Sequence, residues 1–274
     1  MPTHKSYIDF LIVSYILFVY QQKLPYIVSD EALLNASIIP FLIRSSGAFF
    51  YKKKEYKNSR LYKMIFNKYV ELLLRDNNNL EFFIEGTRSR TGKILKPHFE
   101  ILNIIFDTVY NDKVEDVCLV PLTINYEKVL EGDTFPSELL GEEKVAESLL
   151  RVIKAYPLLK VNFGRVYVEL CEPISMKDYI TKIGKKNLEL PSARQDAIQN
   201  LGKSIIYSMT DKLVVLSTGI VSCVLLMNRK GITEDNLIKS VNWIAKYILK
   251  KGYKIGGINE NSSAIAVRNA ITHL

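Results

Sequence analysis

Apolar residues in the first 190 positions alternate between short strand-like runs and longer stretches of helical spacing. The strand-like runs are 26–28, 48–50, 81–84, 117–125 and 165–170, and the helical stretches are 10–20, 31–44, 59–74, 99–110 and 143–155. Alternation of this kind is typical of a layered α/β fold in which the strands run in the same direction. We therefore expect an α/β core with a mostly parallel sheet flanked by helices.

The pattern changes near residue 190, after which helical spacing continues to the last residue. Pro191 is placed as the first residue of a helix, and Thr233 begins another helix that ends at Gly252. The sequence therefore predicts an α/β core at 1–190 and a helical C-terminal region at 191–274.

The composition narrows the class of protein. The three cysteines are widely separated and there are only three histidines, so a disulfide framework, a zinc ribbon and a His-rich metal site are all disfavoured. The apolar stretches 8–20 and 213–227 fall short of the ~20 residues that span a bilayer. A net charge of +8 favours anionic partners, which leaves nucleic acid, acidic lipid headgroups and phosphorylated small molecules open.

His4 and Asp9 form the first candidate site. Ser6 and Asp9 have the spacing of a capping box, so Ser6 should cap a helix and His4 should lie in the turn before it. There Asp9 can accept a hydrogen bond from one ring nitrogen, which leaves the other nitrogen as a general base. The pattern alone also fits a surface histidine beside an ordinary helix cap.

Two further segments combine turn residues with charge. A loop directly after the strand-like run 81–84 carries Glu85, Gly86, Thr87, Arg88, Ser89 and Arg90. Paired guanidinium groups can bind phosphate and a carboxylate can accept from a hydroxyl, although a solvated basic hairpin fits as well. The second segment contains Gly47, Lys52 and Lys53 among aromatic residues. It fits a phosphate site, a nucleic-acid surface, a lipid-headgroup patch or a solvated face.

In their order and spacing, four segments resemble the four motif blocks of the glycerol-phosphate acyltransferases. These are HKSYIDFL at His4, GAFFYKK at Gly47, FIEGTRSRTGK at Phe83 and LVPLTINYEKVLEG at Leu119. The family includes glycerol-3-phosphate acyltransferases of mitochondria and endoplasmic reticulum and dihydroxyacetone-phosphate acyltransferases of peroxisomes. The stretches PYIVS, LEFFIEGTRSRTGK and NYEKVLEG are more similar to the former. The second block departs from the family's usual Arg-Arg ending.

The resemblance implies acyl transfer from acyl-CoA to the 1-hydroxyl of glycerol-3-phosphate at a membrane surface, without a metal or other cofactor and without nucleic acid. It implies that His4 is the general base and that Asp9 orients it. It assigns glycerol-phosphate binding to Lys52, Lys53 and the loop Glu85, Gly86, Thr87, Arg88, Ser89 and Arg90, with Gly47 and Pro121 shaping the pocket. The alternatives are dihydroxyacetone phosphate as the acceptor and a shortened, non-catalytic binding form.

Overall fold

The computed structural model describes residues 1–31, 39–132, 140, 163–258 and 263–274. Its helices are α1 Asp9–Val19, α2 Ile39–Ser45, α3 Lys53–Asn58, α4 Arg60–Arg75, α5 Glu100–Tyr110, α6 Met176–Ile183, α7 Pro191–Asp211, α8 Ser217–Met227, α9 Glu234–Lys250 and α10 Ser263–His273. The strands are β1 Tyr26–Asp30, β2 Ala48–Tyr51, β3 Leu80–Glu81, β4 Cys118–Leu119, β5 Leu122–Tyr126, β6 Val166–Leu170, β7 Ile174–Ser175, β8 Val215–Leu216 and β9 Ile255–Gly256. The predicted helix at 143–155 lies outside the described residues. No helix in the described ranges is both long and apolar enough to cross a membrane.

The expected α/β fold with a parallel sheet is confirmed. Strand β1 lies between β2 and β3 and pairs with both in parallel, with Ile27 opposite Ala48 and Tyr26 opposite Leu80. The strand predicted at 81–84 is shorter than expected and lies at the end of this sheet as β3. The residues that follow β3 therefore leave the sheet at the same edge as the ends of β1 and β2, where loops of α/β proteins commonly bind ligands.

The strand predicted at 117–125 is divided by Pro121 into β4 and β5. Proline has no N–H for a sheet ladder, and here its carbonyl instead accepts from the N–H of Cys171 at 2.9 Å. Strand β5 pairs antiparallel with β6. On its other side Thr3 donates to Leu122 at 3.0 Å, and Leu122 donates to Met1 at 3.0 Å. The segment before His4 is thus fixed alongside β5.

Two hydrophobic clusters lie at either side of residue 211. The first joins Phe82, Leu102 and Phe106 to Leu201 and Ile205 of α7. The second is formed by residues of α8, α9 and α10, including Val221, Val241 and Val267. The predicted boundary near residue 190 stays a prediction, and the apolar packing crosses it through α7.

Glu81 places a carboxyl group inside the first core. Its side chain is 3% exposed, and neither carboxylate oxygen has a hydrogen-bond partner among the described residues. Burial disfavours the charged form and raises the pKa of Glu81 to about 8, from an ordinary value of 4.5. The folded protein therefore holds a proton on Glu81 at pH values where the unfolded chain has lost it.

Glu81→Gln is expected to weaken the pH dependence of the free energy of unfolding. In the wild type, the stability contribution of the protonated carboxyl is complete below pH 4.5 and is lost as pH rises towards 8. The amide has no proton to lose, so the variant should exceed the wild type by about 2 kcal/mol or more at pH 8, and by less at pH 5. Urea unfolding at both pH values measures the difference. A stability difference of the same size at pH 5 and pH 8 would contradict the prediction. Glu189→Gln, at an exposed glutamate, is the control and should leave the free energy of unfolding unchanged at both pH values.

Candidate active site

His4 lies in the turn that connects the segment alongside β5 to α1. Its Nδ1 is 3.0 Å from Oδ2 of Asp9, and its ring is stacked on Phe83 with centroids 3.9 Å apart. The side chain is 19% exposed, so the ring is held on two sides and open on another. The predicted contact between His4 and Asp9 is confirmed.

The Asp9 side chain is fully buried and collects hydrogen bonds from several directions. Oδ2 accepts from the backbone N–H groups of Lys5 at 2.7 Å and Ser6 at 2.9 Å, and Oδ1 accepts from the hydroxyl of Tyr126. Burial raises the pKa of Tyr126, with a further contribution from the Asp9 charge, so the hydroxyl keeps its proton and donates it. A carboxylate only accepts hydrogen bonds, so the His4 Nδ1 carries the proton and Nε2 is the free basic nitrogen.

The capping box is present only in part, which corrects the sequence prediction. Helix α1 begins at Asp9 rather than next to Ser6, and the preceding residue, Ile8, has no side-chain cap bond. One of the two hydrogen bonds of the box is formed, in which the Asp9 carboxylate accepts from the N–H of Ser6. The other is not formed: the Ser6 hydroxyl donates to Glu131 at 2.8 Å and accepts from the N–H of Ile8 at 3.4 Å. The N–H of Asp9 donates instead to the Ser6 carbonyl at 3.3 Å.

Glu85 is not among the residues that line the pocket beside His4, and the hydroxyl-binding role that the family resemblance implies for it stays a prediction. One carboxylate oxygen accepts from the N–H of His4 at 2.8 Å and the other from the N–H of Leu95 at 2.7 Å. The residue is almost fully buried, and burial raises its pKa. Glu85 therefore holds the backbone of the His4 turn against the loop after β3.

Arg88 also faces the His4 turn rather than the pocket. Its guanidinium carbon lies 3.5 Å from the centroid of the Tyr7 ring, and Nη1 lies 3.5 Å from Oε1 of Glu131. Glu131 also accepts from the backbone N–H of Tyr7 at 2.6 Å. Ser89 completes the connection by donating its N–H to the carbonyl of His4 at 2.8 Å. The aromatic face and the carboxylate explain why this guanidinium is turned away from the pocket.

The pocket beside His4 has a volume of about 120 Å³. Its polar lining consists of His4, Ser29, Asp30, Tyr51, Lys53, His98 and Glu100. Gly86 forms part of the wall with φ +66°, and a Cβ there would lie 2.6 Å from Cδ2 of His98. The space therefore combines two imidazole rings, one lysine and two carboxyl groups, which offer both donors and acceptors to a small polar molecule.

The pocket brings together only part of the predicted site. His4, Lys53 and Gly86 line it, whereas Thr87, Ser89, Arg90, Gly47 and Pro121 are not among its lining residues. Lys52 points elsewhere and forms an ion pair with Glu55 at 3.0 Å. Gly47 has φ +90° in the turn before β2. Within the described residues, no group of three or more His, Cys, Asp or Glu side chains is arranged to hold a metal ion.

Sequence reasoning missed Phe83, Tyr126 and Glu131 as residues that hold the His4 turn. All three lie inside the motif blocks at 83–93 and 119–132, so their positions in those blocks were the available signal. The spacing itself carries no indication of contact, because the chain separates Tyr126 from Asp9 by 117 residues.

Models of known families match both parts of the chain. Residues 1–125 match the model described as "Acyltransferase", and residues 136–274 match "Glycerol-3-phosphate acyltransferase C-terminal region". The three-stranded parallel sheet and the pocket beside His4 thus lie within the residues that match the acyltransferase model. With more than half of its length matched by the second model, the chain belongs to the glycerol-3-phosphate acyltransferase family.

Curated relatives carry two different names. Dihydroxyacetone phosphate acyltransferase of Bos taurus is 33% identical and aligns with 89% of this chain and 37% of its own length. Mitochondrial glycerol-3-phosphate acyltransferase 1 of Homo sapiens is 30% identical, with 93% and 36% aligned. The chain spans roughly two fifths of the length of these relatives. Their similar identities do not choose between the two acceptors.

A solved structure shows a weaker likeness. The crystal structure of the 1-acyl-sn-glycerophosphate acyltransferase PlsC from Thermotoga maritima aligns with 77% of this chain and 66% of its own. The sequence identity is 16% and the TM-score is 0.39.

Proposed function

We propose that the chain transfers a fatty acyl group from acyl-CoA to the 1-hydroxyl of glycerol-3-phosphate, with His4 as the general base. The observation that carries this proposal is the ring of His4, which lines a polar pocket while its Nδ1 contacts buried Asp9. That arrangement leaves Nε2 to accept a proton from an alcohol. Membership in the family supplies the class of reaction.

The proposed step balances without a cofactor. The acceptor hydroxyl oxygen attacks the thioester carbonyl carbon as Nε2 of His4 takes its proton. The tetrahedral intermediate then collapses, the C–S bond breaks, and the imidazolium returns the proton to the CoA sulfur. Asp9 stabilises the positive charge on His4 between these two transfers. No acyl-enzyme forms, so no nucleophilic Ser or Cys is required.

Lys53 is the proposed phosphate contact, since it lines the pocket and the neighbouring Lys52 does not. Lys53→Gln is expected to raise KM for the acceptor about tenfold or more, because the lost contact is charge-assisted. Lys52→Gln is the matched control, and its KM should stay within twofold of the wild type because its ammonium pairs with exposed Glu55. Steady-state CoA release measures both. Equal effects of the two substitutions would contradict the assignment.

Free-CoA release by the purified chain with palmitoyl-CoA tests the proposed reaction. Three reactions are compared: glycerol-3-phosphate, dihydroxyacetone phosphate and no acceptor. Acceptor-dependent release with glycerol-3-phosphate as the better acceptor is the expected result. No release above the blank from a folded sample would overturn the catalytic proposal and favour a non-catalytic binding form.

Dihydroxyacetone phosphate is the second candidate acceptor. The relatives of that name reach 33% identity, against 30% for mitochondrial glycerol-3-phosphate acyltransferase 1, so similarity supports this acceptor as well as the first. Both acceptors are three-carbon phosphates with a primary hydroxyl, so the same general base serves either. The proposed location follows the acceptor: a mitochondrial outer or endoplasmic reticulum membrane surface for glycerol-3-phosphate, and a peroxisomal one for dihydroxyacetone phosphate.

A further inference from the structure

Helix α4 carries apolar side chains on two opposite faces. One face packs inward through Phe66, Val70 and Leu73, which are buried. The other face is exposed, and we call it the outer stripe. It consists of Leu61, Met64, Ile65, Tyr69 and Leu72, each at least 41% exposed.

The outer stripe runs along most of the helix. At 100° per residue its five side chains fall within an arc of about 140°, and Leu61 and Leu72 lie about 16 Å apart along the axis. The exposed Lys68 and Arg75 fall within the same arc, so the stripe contains two cations as well as its apolar side chains. Singly exposed apolar residues are normal on a protein surface, but a contiguous strip of this size indicates an interaction surface.

The charges around the outer stripe are mainly basic. Residues 53–75 hold seven Lys and Arg against two Glu, a net charge of +5. Lys54, Lys57 and Arg60 are exposed at the start of the stripe. Apolar side chains bordered by cations complement a partner that is apolar inside and anionic at its surface. A bilayer with acidic headgroups has this structure.

A second exposed apolar surface lies on α1, where Leu11, Tyr15 and Phe18 are exposed. Residues 9–22 contain no Lys or Arg, so this surface lacks the basic border. Charge complementarity to acidic headgroups therefore favours α4.

We propose that the outer stripe of α4 docks the protein onto an anionic bilayer, with its apolar side chains in the interface and the flanking lysines against lipid headgroups. Lys53 is the first residue of α3, immediately before α4, and it also lines the pocket beside His4. Docking through α4 therefore brings the pocket close to the bilayer, where long acyl chains are dissolved. The docking follows from the surface alone, and only its benefit to acyl transfer rests on the proposed function.

Sedimentation with phosphatidylcholine vesicles, with and without phosphatidylserine, measures the docking. Met64→Ser with Ile65→Ser is expected to lower binding to phosphatidylserine vesicles at least about tenfold, because two side chains lose their burial in the interface. Leu226→Ser with Met227→Ser is the matched control, since these two adjacent apolar residues at the end of α8 are at least as exposed, and this variant should bind as the wild type does. Circular dichroism confirms that each variant is folded.

A second variant tests the electrostatic contribution to vesicle binding. Lys54→Gln with Lys57→Gln should weaken binding to phosphatidylserine vesicles by about fivefold per lysine and leave binding to phosphatidylcholine alone unchanged. High salt should reproduce this effect in the wild type, since the Debye length shortens.

Three outcomes would overturn the docking proposal. The stripe variant could bind vesicles as well as the wild type does. Vesicle binding could instead be lost entirely in Tyr15→Ser with Phe18→Ser on α1, which would place the docking surface on that helix. The wild type could be a dimer that Met64→Ser with Ile65→Ser separates without changing vesicle binding, which would make the stripe an interface between two copies. All measurements omit acyl-CoA and acceptor, so a failure of the proposed reaction leaves this test unaffected.

Discussion

His4→Ala is expected to lower kcat for acceptor-dependent CoA release by about 10³-fold or more. The variant removes the nitrogen that we propose takes the acceptor proton, and a positioned general base contributes typically 10²- to 10⁴-fold. The loss should appear in kcat rather than in KM, because the imidazole takes part in proton transfer and does not bind the phosphate.

The His4→Ala fold should remain intact. The main-chain bonds of His4 to Glu85 and Ser89 do not involve the ring, so the turn keeps both. The matched control is His98→Ala, because His98 lines the same pocket but its Nδ1 lies 3.8 Å from Glu100 and has no buried carboxylate behind it. His98→Ala should retain at least a tenth of the wild-type kcat. Equal losses in the two variants, or activity retained in His4→Ala, would contradict the assignment of the base.

Asp9→Asn is expected to lower kcat by roughly 10³-fold, with a smaller loss for Tyr126→Phe of about fivefold. An amide at position 9 carries no charge to stabilise the imidazolium that forms when His4 takes the proton. Tyr126 contacts Asp9 and not the ring, so it is a positioning residue whose loss only loosens the carboxylate.

The comparison of these two variants separates catalysis from structure. Asn is nearly isosteric with Asp, so its oxygen can still accept the N–H groups of Lys5 and Ser6. Acceptor binding, measured as the KM for glycerol-3-phosphate, should change less than threefold in both variants. If Tyr126→Phe loses as much activity as Asp9→Asn, the hydrogen bonds around Asp9 act as one structural unit. That outcome would contradict a separate catalytic role for Asp9.

The sequence predicted the elements of the site better than its geometry. The sequence predicted the first residue of α7, Pro191, and both ends of α4 to within one residue. Long amphipathic stretches give a strong helical signal. The prediction overextended the strand at 81–84 and missed the break at Pro121, since a buried apolar run does not show where hydrogen bonding in a sheet ends.

The contacts of the charged loop residues could not be predicted from residue type. Glu85 and Arg88 have the chemistry to bind a glycerol phosphate, and the motif blocks suggested it. In the structure their partners are the N–H groups of His4 and Leu95 for Glu85, and Tyr7 and Glu131 for Arg88. Which of two compatible partners a charged side chain takes depends on contacts between segments far apart in the chain, and spacing along one segment does not report them.

The contacts of the His4 turn also determine when in folding the site can form. The turn depends on Glu85, Tyr126 and Glu131, which follow it by between 81 and 125 residues. During synthesis the His4 turn lacks its full set of partners until the chain has grown past Glu131, and the closure of such long loops is slow. Helices such as α4 can form earlier, from neighbours in the chain. A newly made molecule can therefore have most of its helices in place before it can position its base.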